Sequence, residues 1–178
     1  MALINITSPH ARGALSTGEL MRLVIYATVP GIAVLAWFFG PGVLINVFLA
    51  CVSCVGFEAL VVKLRNRPVG FYLKDCSALV TAILLAVSLP PYCPWWLVVA
   101  GSFVAIILAK QLYGGMGFNP FNPAMVAYVL LLISFPLQMT TWPTPAPLLP
   151  EGQDLPSLIA SIQHVFGSEK IDAYASAT

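Results

Sequence analysis

The sequence predicts an all-α polytopic membrane protein of about five transmembrane helices, some of them short or broken. Three observations predict it. Of the 178 residues, 59% are hydrophobic and 8% charged, against roughly 25% charged residues in a soluble domain, and the mean hydropathy is +0.89. The apolar residues fall into runs separated by Gly, Pro and Asn, and the Lys and Arg residues gather between alternate runs.

Three runs, Met21 to Phe39, Gly42 to Leu64 and Trp95 to Tyr113, approach the ~20 residues that a bilayer core requires. The first ends in Phe38, Phe39, Gly40 and Pro41, not in a small-residue cleavage site. It reads as a retained span, not a signal peptide. Two further runs, Cys76 to Leu89 and Ala124 to Leu137, hold 14 residues each. As helices they cover about 21 Å of a ~30 Å hydrocarbon core. They are either spans completed by their flanks, about 76–90 and 124–139, or half-helices meeting irregular backbone. The second case marks a site, because unpaired backbone at that depth survives only beside protein or a water-filled cavity.

Arg12, Arg22, Lys63, Arg65, Arg67, Lys74 and Lys110 all fall on one side if every run crosses, and basic residues mark the cytoplasmic side. Trp37, Trp95, Trp96 and Trp142 fall at the opposite boundary, as an interfacial aromatic belt would. The division is therefore a cytoplasmic segment 1–20, a membrane domain 21–139 and an external segment 140–178. In the last, five prolines make a loop, with one helix from Ser157, a good N-cap, to Phe166. A formal charge of +1 and no basic cluster outside the one loop after the second run argue against nucleic acid as a partner.

Several residues are candidates for chemistry. Glu58 lies about six residues, or ~9 Å, inside the second run, and an intramembrane carboxylate is by default a candidate for ion passage or proton relay. A paired structural role is its equal rival. In "YGGMGFNPFNPAM", Gly114, Gly115 and Gly117 permit positive φ. Asn119-Pro120 and Asn122-Pro123 each combine an N-cap with a proline at the first helical position. A helix starting at Pro123 points its positive end into this loop, where an anionic or electron-rich ligand is favoured, although a plain structural turn explains the same residues. "NPA" is similar to the half-helix caps of aquaporins over three residues, which shared capping chemistry explains. Asp75 is placed to cap the helix beginning near Cys76. Cys51 and Cys54 share a helix face and offer half of a metal or iron–sulfur site, but small-residue packing is the commoner role. No other metal ligands suggest themselves: His10 and His164 read as surface residues.

"LKDCSALVTAILLAVSLPP", "AKQLYGGMGFNPFNPAMVAYVLLLISFPLQMTTW" and the order of elements around them closely resemble the D subunits of the Rnf complexes, ion-translocating ferredoxin:NAD oxidoreductases of bacterial inner membranes, and their sisters, the B subunits of sodium-translocating NADH:quinone reductases. The resemblance covers nearly the whole chain. It implies FMN attached through its phosphate to a threonine in a periplasmic motif, D-x-x-[ST]-G-A-T. On this sequence the motif falls on Asp172, Ala177 and Thr178, with Ala175 and Ser176 departing from it.

The resemblance further implies electron passage between ferredoxin and NAD side subunits coupled to Na+ or H+ transport, with Glu58 a candidate on the ion path. Its implied partners are the A, B, C, E and G subunits of the complex, a flavin transferase and membrane lipid. A second, non-covalent flavin is a further expectation, and Gly114, Gly115, Gly117, Asn119 and Asn122 are candidate cofactor-binding residues in a loop that shapes a site or path coupled to ion movement. Family members are about twice as long, with a second set of spans that looks like an inverted repeat of the first. This chain then corresponds to the amino-terminal half of a ten-helix fold, either a fragment, the favoured reading, or the product of a truncated gene. A passive small-solute channel built on paired half-helices is the reading from another class.

Overall fold

A computed structural model describes residues 15–150 and 152–167. Helix α1 (Thr17–Phe39) starts at Ser16, whose hydroxyl accepts from the Glu19 backbone N–H, while the Glu19 carboxylate accepts from the Ser16 N–H. This reciprocal capping box satisfies two donors that a helix start otherwise leaves open. Helix α2 (Gly42–Leu64) follows after a two-residue turn and, like α1, is long and apolar enough to span a bilayer. A short helix α3 (Val69–Leu73) leads to α4 (Ser77–Ser88). Helix α5 (Trp95–Phe103) runs straight into a π-helical segment, Val104–Gln111. Then come α6 (Pro123–Ser134), the short α7 (Pro136–Thr140) and α8 (Leu158–Phe166), capped by Ser157 as expected.

The two short runs are short helices. α4 and α6 hold 12 residues each, about 18 Å. α4 stops at Ser88 and is not continued through Pro90-Pro91, because a proline has no N–H to offer the preceding turn. No strand occurs among the described residues. The protein is an all-helical membrane protein.

α2 is the central helix. It packs on α4, on α5 and on the π segment, and it buries Ala50, Cys54 and Glu58 in one row. α6 closes the other side of α4 and the π segment, and where it crosses α5 a Cβ on Gly101 would stand 2.8 Å from Leu131 Cδ1. A larger residue there would push the Leu131 side chain aside, so the glycine favours the close approach. α1 lies outermost, packs on α4 and α2, and has no buried residue, as expected of a helix that faces lipid over most of its surface.

The helices alternate in direction, which sorts the side chains between two ends. At one end lie the starts of α1, α4 and α6 and the finishes of α2 and the π segment, with Arg22, Lys63, Arg65, Arg67, Lys74 and Lys110. At the other lie the finish of α1, the starts of α2 and α5 and the segment after α7. There Trp142 meets Phe39 edge-on at 5.8 Å, and Trp96 meets Phe135 at 5.0 Å. Trp37 projects outward at 78% exposure.

Candidate functional site

The basic end holds a charged network inside the bundle. Glu58, on the last turns of α2, is 2% exposed, and Lys110, near the end of the π segment, is likewise 2% exposed. Lys110 Nζ donates to Glu58 Oε1 at 2.6 Å and to Ser77 Oγ at 2.7 Å. Gln111 Nε2 donates to the same Glu58 oxygen at 2.9 Å. Arg65, exposed at the end of α2, covers the network from outside by donating to the Gln111 carbonyl at 2.5 Å. An ion pair taken out of water is stable only when further hydrogen bonds support it. Ser77 and Gln111 supply them here.

The π segment explains how two consecutive residues reach one carboxylate oxygen. Its hydrogen bonds run from residue i to i+5, as from Leu112 N–H to the Ile107 carbonyl at 2.9 Å, and a wider turn separates neighbouring side chains by a smaller angle than an α-turn does. Ser77 is held at the first turn of α4, where Asp75 Oδ1 accepts from its backbone N–H at 2.8 Å and its hydroxyl at 2.7 Å. Asp75 thus caps α4 as expected, although the N-cap position itself is Cys76, in the left-handed region at φ 59°.

One oxygen of the network is unanswered. Glu58 Oε2 is buried and has no hydrogen-bond partner among the described residues. Glu58 lines a cavity of about 330 Å³ together with Arg67, Tyr72, Asp75, Gly114, Gly115 and Phe118. A second cavity of about 220 Å³ lies on the Lys110 side, lined by Ser77, Thr81, Asn119, Asn122 and Pro123. Met116 borders both. The glycine loop therefore divides: Gly114 and Gly115 border the first cavity, Asn119 and Asn122 the second, and Gly117 neither.

Asn122 caps α6, accepting from the Ala124 N–H at 3.0 Å, with Pro123 at the first helical position. Asn119 departs from its expected capping role. No helix starts at Pro120, and the Asn119 amide donates to the Phe121 carbonyl at 2.8 Å, tightening the loop that aims α6. His164 is not an ordinary surface residue: it is half-buried, with its ring edge-on to Tyr92 at 6.2 Å. Cys54 is buried in the core and Cys51 half-buried, and no group of three His, Cys, Asp or Glu side chains gathers among the described residues. His10, Asp172, Ala177 and Thr178 lie outside the described residues.

Sequence reasoning singles out Glu58 but misses its partners. Lys110 counts there only among the basic residues that mark one side, and Gln111 and Ser77 are not singled out. A polar pair directly following seven residues as apolar as those of 103–109 is the one signal that points inward.

Fold and site together define an all-α membrane protein with an ion pair sealed into the basic end of its helix bundle. Known proteins narrow this class. The chain is 66% identical over 178 residues to the D subunit of an ion-translocating oxidoreductase complex of Cellvibrio japonicus, covering 100% of this chain and 50% of that protein. Similarly named proteins of Alcanivorax borkumensis and Pseudomonas aeruginosa are 55% and 51% identical, again over 100% of this chain and 50% of theirs. The model of the NQR2, RnfD, RnfE family matches residues 4–178, and the chain belongs to that family. It spans about half the length of the curated relatives it matches.

Proposed function

We propose that this chain is part of a multi-pass membrane subunit of a redox-driven, ion-translocating oxidoreductase complex, with FMN held on Thr178 through a phosphoester. It passes electrons between ferredoxin and NAD side subunits and couples them to Na+ or H+ movement. The amino terminus and the basic end face the cytoplasm and Thr178 the periplasm of a bacterial inner membrane. The partners are the complex's A, B, C, E and G subunits, a flavin transferase and lipid. The names of the relatives support the assignment to such a complex.

The observation that carries the coupling is the unanswered buried Glu58 Oε2 on a residue that lines a cavity at the basic end. A buried carboxylate with one oxygen committed to Lys110 and the other open can hold a cation or a proton arriving through that cavity. The same cavity suits a second, non-covalent flavin. Its ~330 Å³ falls within the size range of small-molecule sites. Phe71, Tyr72 and Phe118 offer aromatic faces, Gly114 and Gly115 admit close approach, and Glu58 Oε2 can accept from a ring N–H. When bound, a flavin supplies the one-electron chemistry, and the protein sets its position and electrostatics.

A threonine hydroxyl needs activation before it attacks a phosphoryl group, so attachment at Thr178 calls for a transferase acting from outside. The test is flavin fluorescence of the full-length subunit in a denaturing gel, with Thr178→Val beside the wild type. The band is expected to vanish in the variant, and fluorescence that survives sinks the assignment. For the coupling, Glu58→Gln in the assembled complex is expected to lower ion translocation per electron transferred. An unchanged ratio removes Glu58 from the route.

A further inference from the structure

Helix α8 carries an apolar face that the bundle does not cover. Ser161 and Val165, one turn apart, are its buried row, and with them α8 docks on α2. Its larger apolar side chains point elsewhere: Leu158, Ile159, Ile162 and Phe166 are 57%, 71%, 43% and 53% exposed. Residues 158, 162 and 166 lie in one i, i+4 row, and residue 159 lies three positions before 162, so the four form one continuous stripe. Between Leu158 and Phe166 there is no Asp, Glu, Lys or Arg.

The position of this stripe argues for what covers it. His164 sits edge-on to Tyr92, and the Tyr92 hydroxyl donates to the Phe39 carbonyl at 2.7 Å, at the last residue of the lipid-facing α1. α8 thus stands at the level where α1 leaves the membrane, on the end that carries Trp37, Trp95 and Trp96. The connection leading to α8 has the same character. Pro145, Pro147 and Leu148 form with Val34, Leu35 and Phe38 of α1 a groove of about 450 Å³ without polar lining, continuous with the lipid-facing side of that helix.

We infer that α8 is an interfacial helix: its Leu158, Ile159, Ile162 and Phe166 stripe lies in the headgroup and acyl boundary of the outer leaflet, with lipid as its partner. An uncharged helix with one apolar stripe is held there by buried apolar area, not by attraction to anionic lipid. Thr178 lies eleven residues beyond Gly167, and at about 3.5 Å per step the chain between them reaches no further than ~40 Å. On the flavin reading above, α8 moors the attachment threonine within that distance of the membrane surface.

The experiment is photocrosslinking in native membranes of the full-length subunit in its complex, with benzoylphenylalanine placed singly at Ile159, Ile162, Phe166 and, as the control off the stripe, Gln153, exposed beside Asp154 in the loop before α8. Adducts to phospholipid acyl chains at the first three positions and none at Gln153 are expected. Adducts to another segment of the subunit or to another protein overturn the inference, as does an absence of adducts at the three positions. Retained flavin fluorescence in the same samples keeps this outcome separate from that of the Thr178 assignment.

Discussion

The two ends of α2 are fastened in opposite ways. At the basic end Glu58 is tied by charge, through Lys110 with Ser77 and Gln111 in support. At the outer end the ties are neutral. Asn46 Nδ2 donates to the Pro90 carbonyl at 2.8 Å, and Tyr92 donates across to the end of α1. A neutral hydrogen bond is a modest gain that is easily met, whereas a buried charge is costly as soon as one partner is removed. The chain has kept its costly polar group beside two cavities and used inexpensive ones where only a turn needs holding. A fold that needed only fastening would have managed with the second kind throughout.

Lys110→Met should break this contrast most sharply. It leaves Glu58 buried without a counter-charge and is expected to cost about 3–5 kcal/mol, read as a lower unfolding midpoint in a detergent titration. Adding Glu58→Gln to that variant should recover most of the loss, since the removed charge no longer needs a partner. A double variant as unstable as the single one would show that Lys110 acts through packing. Asn46→Leu comes next, at about 1 kcal/mol for the lost hydrogen bond, since the Pro90 carbonyl keeps the Cys93 N–H at 3.1 Å. Tyr92→Phe should cost about 1 kcal/mol by the same assay. Asn122→Ala, which removes the α6 cap at the second cavity, is expected to cost about 1 kcal/mol and to fray the first turn of α6 in amide exchange.

What the sequence makes legible is what local chemistry decides. Ser157 and the Asn122-Pro123 pair announce helix starts because a cap acts within three residues, and apolar runs announce spans because the bilayer fixes their length. The Lys110 contact with Glu58 joins residues 52 apart and depends on a π segment that composition does not encode. Lys110 also imitates an ordinary boundary lysine, since it stands in the last four residues of the run Trp95 to Tyr113. Asn119 misleads because Asn-Pro serves a turn as readily as a helix start, and the choice lies with Phe121, whose carbonyl takes its amide. His164 misleads because only the folded chain brings Tyr92 beside it.

A π ladder that skips five residues leaves an additional carbonyl open at its finish, and the neighbourhood of Gln111 answers those carbonyls from two sides. The Gln111 carbonyl receives Arg65 and the Gly114 N–H, and the Lys110 carbonyl receives the Gly115 N–H at 3.1 Å. Gly114 and Gly115 can fold back in this way because they sit at φ 118° and 106°, where a side chain would be strained. The glycines that first look like a ligand cradle are thus also the clasp that keeps two neighbouring side chains aimed at one carboxylate, so a bulky residue at either position would misdirect Lys110 from a distance without touching it.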